Sequence, residues 1–277
     1  MSRVVTIQSR PTPAHPRQPA TPAVLEPREG GLAARVGSRF EGHPLRAVVL
    51  VGLVGFVVLA LVMIGLGLLL TKVLVPNGVG RWDNSVNEWF VHRRTPSLNV
   101  VTWWGSEIAM TGSVIGVGLV VAIVLAISRR WREVQFLATA VAVEASSFLV
   151  TTLVVQRPRP TVHRLDVSPP TSSFPSGHVA AGIALYIGLA IILSSHVRNA
   201  LARAVIWIVA IAIPFFIGLS RIYRGMHHPT DVLASLIVLG PCALVVGLLA
   251  VRSACAAAPA DEIVGEPTGP VADRRVA

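Results

Sequence analysis

Arg157-Pro158-Arg159-Pro160, Ser173-Phe174-Pro175-Ser176-Gly177-His178 and Ser220-Arg221-Ile222-Tyr223-Arg224-Gly225-Met226-His227-His228-Pro229-Thr230-Asp231 are three polar islands at the ends of hydrophobic segments. Together they gather arginine, histidine and a closing aspartate within an otherwise apolar chain. A planar guanidinium matches phosphate oxygens two at a time. Arginines beside histidines at a membrane surface therefore point to phosphate chemistry.

Outward from the islands, the chain reads as a membrane protein. Its 277 residues are 53% hydrophobic and 14% charged, with a mean hydropathy of +0.66. Apolar runs of the length a bilayer demands, about 20 residues per helix, recur along it. They predict spans over 47–75, 108–127, 134–155, 179–194, 204–219 and 232–251. The expected fold is all-α, a bundle of six transmembrane helices over 44–252. Residues 1–43, rich in Pro and Arg, and 253–277, rich in Ala, Pro and acidic residues, read as disordered tails. The first apolar run is too long for a signal peptide and no small-residue cleavage site closes it.

Residues 81–91 place Trp82, Val86, Trp89 and Phe90 on one helical face and Asp83, Asn84, Asn87 and Glu88 on the other. That pattern suits a short helix in the membrane interface, and a plain external loop fits equally. Cys242 and Cys255 lack metal-ligand spacing and make no disulfide framework.

The formal charge of +10 would suit nucleic acid in a soluble protein. Here arginines flank the spans and sit in the first tail, as cytoplasmic anchoring requires, so the expected partners are the bilayer and not nucleic acid. Basic residues near the span ends divide almost evenly between the two faces. With Arg157, Arg159 and Arg221 set aside as held by chemistry, the balance puts both tails in the cytoplasm. The three islands share the opposite face, because they join spans three to four and five to six. The oligomeric state stays open.

The islands resemble the motifs of the type 2 phosphatidic acid phosphatase family, membrane lipid phosphatases whose helical core is shared with vanadium haloperoxidases. That family's pattern is Lys-x6-Arg-Pro, Pro-Ser-Gly-His, then Ser-Arg-x5-His-x3-Asp. The second is complete at Pro175–His178 and the third at Ser220–Asp231, while the first keeps Arg159-Pro160 but has Thr152 in place of lysine. The resemblance covers about 47–251 and implies a haloperoxidase-like helical core. It implies His227 as the nucleophile, Asp231 holding its ring, and His178 as the acid that protonates the leaving oxygen and then helps activate water. Arg159 and Arg221 would clamp the phosphoryl oxygens, with the Ser176 hydroxyl and Gly177 N–H completing the cradle. The physics agrees: span four starts after His178, turning its first amides toward an anion, and Gly177 allows close backbone approach. No carboxylate cluster or Walker pattern offers Mg²⁺ a site, so neither metal nor cofactor is expected.

Arg157, two residues from Arg159, is the local substitute for the missing lysine as a phosphate ligand. Lys72, the chain's single lysine, has no obvious route to that role. Glu144 shares a helix face with Phe148 and Thr152, and supports the site or packs against another helix. Arg164, Arg224 and His228 read as solvated loop residues beside a charged site. A lone Pro-Ser-Gly-His is more often a turn with a helix cap than a site. Its company is what makes it specific.

The expected activity is hydrolysis of a lipid phosphate or pyrophosphate, such as phosphatidic acid, phosphatidylglycerol phosphate or polyprenyl pyrophosphate, at the outer face of the plasma membrane. The rivals are a phosphotransferase using the same site and a non-catalytic lipid-phosphate binder. A transporter is disfavoured, because the ionisable residues gather at one face and not along a midplane path.

Overall fold

The computed structural model describes residues 21–167 and 171–259, and among them every regular element is a helix. A short α1 (Leu32–Gly37) leads to the long α2 (Pro44–Leu69), whose helical path widens into π-type turns over Leu70–Val79. There Pro76-Asn77-Gly78 bends the chain into α3 (Gly80–Val91). In α4 (Pro96–Glu107), Pro96 opens the helix and the Thr95 hydroxyl caps it by accepting from Leu98 N at 3.2 Å. After α5 (Thr111–Ile127) comes α6 (Trp131–Val155), ended by Gln156 in a left-handed conformation. The loop holding the first two islands follows.

The next path is α7 (Gly177–Gly182), a π turn and α8 (Gly188–His196). Asn199 caps α9 (Ala200–Tyr223) through Ala202 N at 3.0 Å. Beyond the third island, α10 (Pro229–Ala234), a π turn and α11 (Gly240–Ala257) complete the bundle.

Five helical paths are long and apolar enough to cross a membrane, and α4 with α5, bent by 50°, make a sixth if counted as one broken span. The chain is a multi-pass membrane protein. Its α2, α6 and α11 pack together, with α7 and α4 against α9. Phe136, Leu137, Val179, Ile217 and Leu244 fill one core, and Met63, Phe174, Ala180 and Leu239 a second below the islands. Outward faces carry exposed Leu61, Ile115, Val120 and Ile208, a surface that water would penalise and lipid tails cover. Trp82, Trp89, Trp103 and Trp104 stand exposed near the end that holds the islands, as an interfacial belt requires.

Two expectations change. Residues 1–43 read as a disordered tail; 1–20 lie outside the described residues, but 21–43 fold onto α11. Leu25 is fully buried, Arg252 donates to the Val24 carbonyl at 3.0 and 2.8 Å, and Gly42 N bonds Ala257 O at 2.8 Å. These apolar anchors are too sparse in a Pro/Arg-rich stretch to register as a helix period, and their partners lie at the other end of the chain. Likewise the last helix runs to Ala257, past the expected boundary at 252, because its final turns have α1 to pack on. Of the expected C-terminal tail, 260–277 lie outside the described residues.

The 81–91 helix exists, but neither expected face is uniform: Asn84 and Glu88 are exposed and Val86 and Phe90 pack on the core, whereas two polar and two aromatic residues do the opposite. Asp83 and Asn87 are buried at 0% and 1% exposure, while Trp82 and Trp89 face outward.

Candidate active site

The third island is built where α9 ends and α10 begins. Arg221 lies in the last turn of α9, and Gly225 follows at φ +73°, a left-handed turn that favours glycine and aims the chain at His227. His227 Nδ1 lies 2.7 Å from the Ser173 carbonyl oxygen. A carbonyl only accepts, so Nδ1 carries the proton and Nε2 keeps its lone pair. Burial, and then the positive Arg221 nearby, hold the His227 ring well below the ordinary imidazole range, so the ring is neutral.

Asp231 sits 3.9 Å from His227 Nδ1, near enough for charge but not for a hydrogen bond. Its Oδ2 instead accepts from the Ser173 hydroxyl at 2.5 Å, His228 N at 2.9 Å and His228 Nδ1 at 3.2 Å. The expected direct hold of Asp231 on the ring is thus relayed: Asp231 fixes Ser173, whose carbonyl fixes His227.

The second island is pinned by Ser172. Its hydroxyl accepts from Arg157 N at 2.9 Å and Phe174 N at 3.1 Å. Ser176 N donates to Ser235 Oγ at 2.9 Å, tying the island to the α10 path, and leaves the buried Ser176 Oγ without a partner. At Gly177 a Cβ would stand 2.9 Å from the Phe148 ring, so the close approach that demands glycine here is to α6. His178 is half-buried, and it acts electrostatically on His227 along with Arg221 and Arg159.

The arginines divide into two kinds. Arg159 donates Nη1 to Met226 O at 2.7 Å and Nη2 to Thr171 Oγ1 at 3.3 Å and Ser172 O at 3.4 Å, while its buried Nε has no partner. Arg221 gives Nη1 to Ser106 Oγ at 3.0 Å and Asp166 Oδ2 at 2.9 Å, and its Nε too is buried and unpartnered. Three orphaned donors, Arg159 Nε, Arg221 Nε and Ser176 Oγ, fit an anion's oxygens.

Arg157 is different. Its side chain is 4% exposed, with Nη2 on Asp83 Oδ2 at 2.6 Å and Nη1 on Thr230 Oγ1 at 2.8 Å and on Asp231 Oδ1. The expectation that it substitutes for lysine as a phosphate ligand is corrected, because carboxylates already occupy both its terminal nitrogens. Thr152, where the family motif has lysine, turns its hydroxyl back to Leu149 O at 2.8 Å. It borders a cleft of about 400 Å³ lined also by Gln156, Arg157, Thr171 and Ser172. Glu144 is buried with Oε1 unpartnered, and Lys72 is exposed.

Several site residues escaped the sequence reading. Asp83 and Asn87 come from α3, with Asn87 Nδ2 donating to His227 O at 3.1 Å and Ile222 O at 3.4 Å. Arg224 and His228 are buried, not solvated. Arg224 binds Asp166 through Nε at 2.8 and 2.9 Å and Nη2 at 2.5 Å. Burial alone would raise the Asp166 carboxyl, but hydrogen bonds from Arg224 and the charge of Arg221 outweigh it and hold the group below the usual carboxylate range. The only sequence signal for this pairing was an acid in a loop otherwise rich in arginine.

The sequence pattern described as the PAP2 superfamily matches residues 133–253. This segment, less than half of the chain, is similar to that superfamily. Within it stand all three islands, while Asp83, Asn87 and Ser106 reach the site from helices that precede it. Over 118 residues the chain is 36% identical to undecaprenyl-diphosphatase BcrC of Bacillus subtilis (strain 168), an alignment covering 41% of this chain and 53% of that protein. The chain thus spans about half the length of this curated relative. The crystal structure of the first transmembrane PAP2 type phosphatidylglycerolphosphate phosphatase from Bacillus subtilis superposes with a TM-score of 0.61 at 22% identity. That match covers 68% of this chain and 93% of the other, and shows that the two share an all-helical fold.

Proposed function

We propose that this protein is a metal-independent lipid phosphatase that hydrolyses a lipid phosphate or pyrophosphate through a phosphohistidine. The observation that carries the reading is the state of His227: a neutral ring with its Nδ1 proton given to Ser173, its Nε2 lone pair unprotonated, and the charges of Arg221 and Arg159 beside it. In this mechanism Nε2 attacks phosphorus as the bond to the lipid oxygen breaks. His178 supplies the proton that the departing oxygen needs. Water then takes the phosphoryl group from His227, giving its proton to His178 and restoring both rings. Arg159, Arg221, Ser176 and the Gly177 N–H hold the phosphoryl oxygens, whose charge grows as the bonds exchange.

The substrate class follows from the site's place at one end of the bundle, among exposed tryptophans and apolar helix faces. Phosphatidic acid, phosphatidylglycerol phosphate and polyprenyl pyrophosphate all present a phosphate at that depth, and the named relatives act on the last two classes. We assign the protein to the plasma membrane with both tails cytoplasmic and the site on the outer face.

Phosphate release by detergent-purified protein from a panel of these lipids, with EDTA present, tests the proposal. EDTA-resistant release that disappears in His227→Ala supports it. Near-normal release by that variant removes His227 as nucleophile. Transfer to an added alcohol would instead favour the phosphotransferase, and lipid binding without turnover the binder.

A further inference from the structure

We propose that Asp83 and Arg157 are positioning residues for His227, forming with Asp231 a buried brace that orients the nucleophile without touching the phosphate. The inference rests on the reading of His227 as nucleophile.

Seven contacts carry it. Arg157 bridges two carboxylates, Asp83 through Nη2 at 2.6 Å and Asp231 Oδ1 through Nη1. Asp83 also accepts from Thr230 N at 3.1 Å and Thr230 Oγ1 at 2.7 Å, so the segment between His227 and Asp231 is held from α3. One turn along α3, Asn87 holds the His227 carbonyl itself at 3.1 Å. On the far side of Asp231, Oδ2 takes the Ser173 hydroxyl at 2.5 Å, and the Ser173 carbonyl takes the His227 Nδ1 proton at 2.7 Å.

The path therefore runs Asp83, Arg157, Asp231, Ser173, His227, and each link fixes the next. With Arg157 on Oδ1, the carboxylate plane of Asp231 is set and Oδ2 points at Ser173. With Ser173 set, the ring tautomer and the direction of Nε2 are set. Without Arg157, two buried carboxylates would face each other with no cation between them, an arrangement a low-dielectric interior rejects. Arg159 and Arg221, which make none of these contacts, would keep their grip on a phosphate.

Apolar side chains of similar volume would often be as stable here as buried charges, so stability alone is a weak reason for the trio. Geometry is a better one. The brace also gives α3 a purpose that its sequence pattern hid, since its buried face is polar and ends on the nucleophile. Asp83 and Asn87 lie outside the 133–253 segment that matches the superfamily, so this support is assembled from two parts of the chain.

The test compares wild type, Asp83→Asn, Asp83→Glu, Arg157→Met and Arg159→Met as full-length protein in detergent. Three quantities are read: kcat and KM on a lipid phosphate, inhibition by inorganic phosphate, and the rate at which diethyl pyrocarbonate modifies His227, resolved by mass spectrometry. A nucleophile misplaced by about 1 Å loses on the order of 100-fold in rate. Asp83→Asn and Arg157→Met should lose kcat on that scale, keep KM and phosphate inhibition near wild type, and modify at His227 several-fold faster. Asp83→Glu should recover part of the rate. Arg159→Met should instead weaken phosphate inhibition.

Loss of phosphate inhibition in Arg157→Met equal to that in Arg159→Met would return Arg157 to the cradle and overturn the brace. So would Asp83→Asn that matches wild type in both kcat and modification rate. If Arg157→Met fails to fold, the nearly isosteric Asp83→Asn decides the matter. If wild type releases no phosphate from any lipid, the phosphatase reading falls, while the modification rates still judge the brace: unchanged rates reject it.

Discussion

At the scale of single residues, the proposed phosphate site sets internal carboxylates against an external anion for the same guanidinium groups. Asp166 engages Arg221 and Arg224 together, its carboxylate 2.9 Å from Arg221 Nη1 and 2.5 Å from Arg224 Nη2. A phosphate that approaches Arg221 must share it. Asp166→Asn should therefore make inorganic phosphate a tighter inhibitor. It should also cost about 1–3 kcal/mol of stability, because two largely buried arginines lose a charged acceptor. Inhibition curves and thermal melts in detergent would show both effects; weaker phosphate binding would mean that Asp166 orients Arg221 more than it competes. Thr152→Lys probes the other side of the site. The cleft of about 400 Å³ beside Thr152 has room for the longer side chain. We expect kcat/KM unchanged or raised, and a severe loss would mean that the cation already at Arg157 tolerates no second one nearby.

These residues also show what a sequence can reveal. His178, His227, Arg159 and Arg221 stand out in the sequence because the islands that hold them resemble the family's motifs, and the structure brings the charges of Arg221, Arg159 and His178 to bear on His227. Arg157 was legible as a site residue but not in its role, since whether an arginine meets phosphate or carboxylate depends on Asp83, which is 74 positions away. Asp166 and Arg224 likewise make sense only as partners. Nothing local distinguishes a buried ion pair from two solvated loop charges.

At the scale of elements, α3 is the instructive case. Its alternation of aromatic and acidic faces is the same whether the polar side meets water or a site, and period alone gives no sign of direction. The surrounding helices decide it: with tryptophans free to lie in the interface, Asp83 and Asn87 turn inward. Asn87→Ala should leave the His227 carbonyl short of a donor in a buried setting, while Ile222 O keeps the Gly225 N–H, at a cost of about 1–3 kcal/mol. A melt unchanged from wild type would mean that α3 is held without it. The α1 segment is the second case, and it belongs to the far end of α11. A Cβ on Gly37 would collide with Ala256 and the Ser253 carbonyl. Gly37→Val should release residues 21–43 to protease while phosphate release continues, because the site lies at the opposite end of the same helical path. Lost activity would show that the docked segment reaches further than its contacts.

At the scale of the whole molecule, lipid-facing helices enclose a small charged site at one end, so titration there acts on the stability of the whole bundle. His227 is buried and neutral, its ring held well below the ordinary imidazole range by burial and by Arg221. An unfolded histidine titrates near pH 6.5. Below that value the unfolded chain takes up a proton that the folded ring refuses, so stability falls with falling pH by up to about 1.4 kcal/mol per pH unit for this group. Asp166 adds a second, more acidic loss with the same sign. Its folded carboxyl lies below its unfolded value, so its contribution is present above the unfolded value and disappears as pH drops through the folded one. Melting temperatures in detergent should stay level from about pH 8 to about 6.5 and decline below, the upper limit being the unfolded imidazole's own. His227→Gln, which cannot take up that proton, should make the first part of the decline shallower and leave the later, carboxylate part in place. A decline identical in the variant would assign it to other histidines and remove the neutral, desolvated ring on which the attack by Nε2 depends.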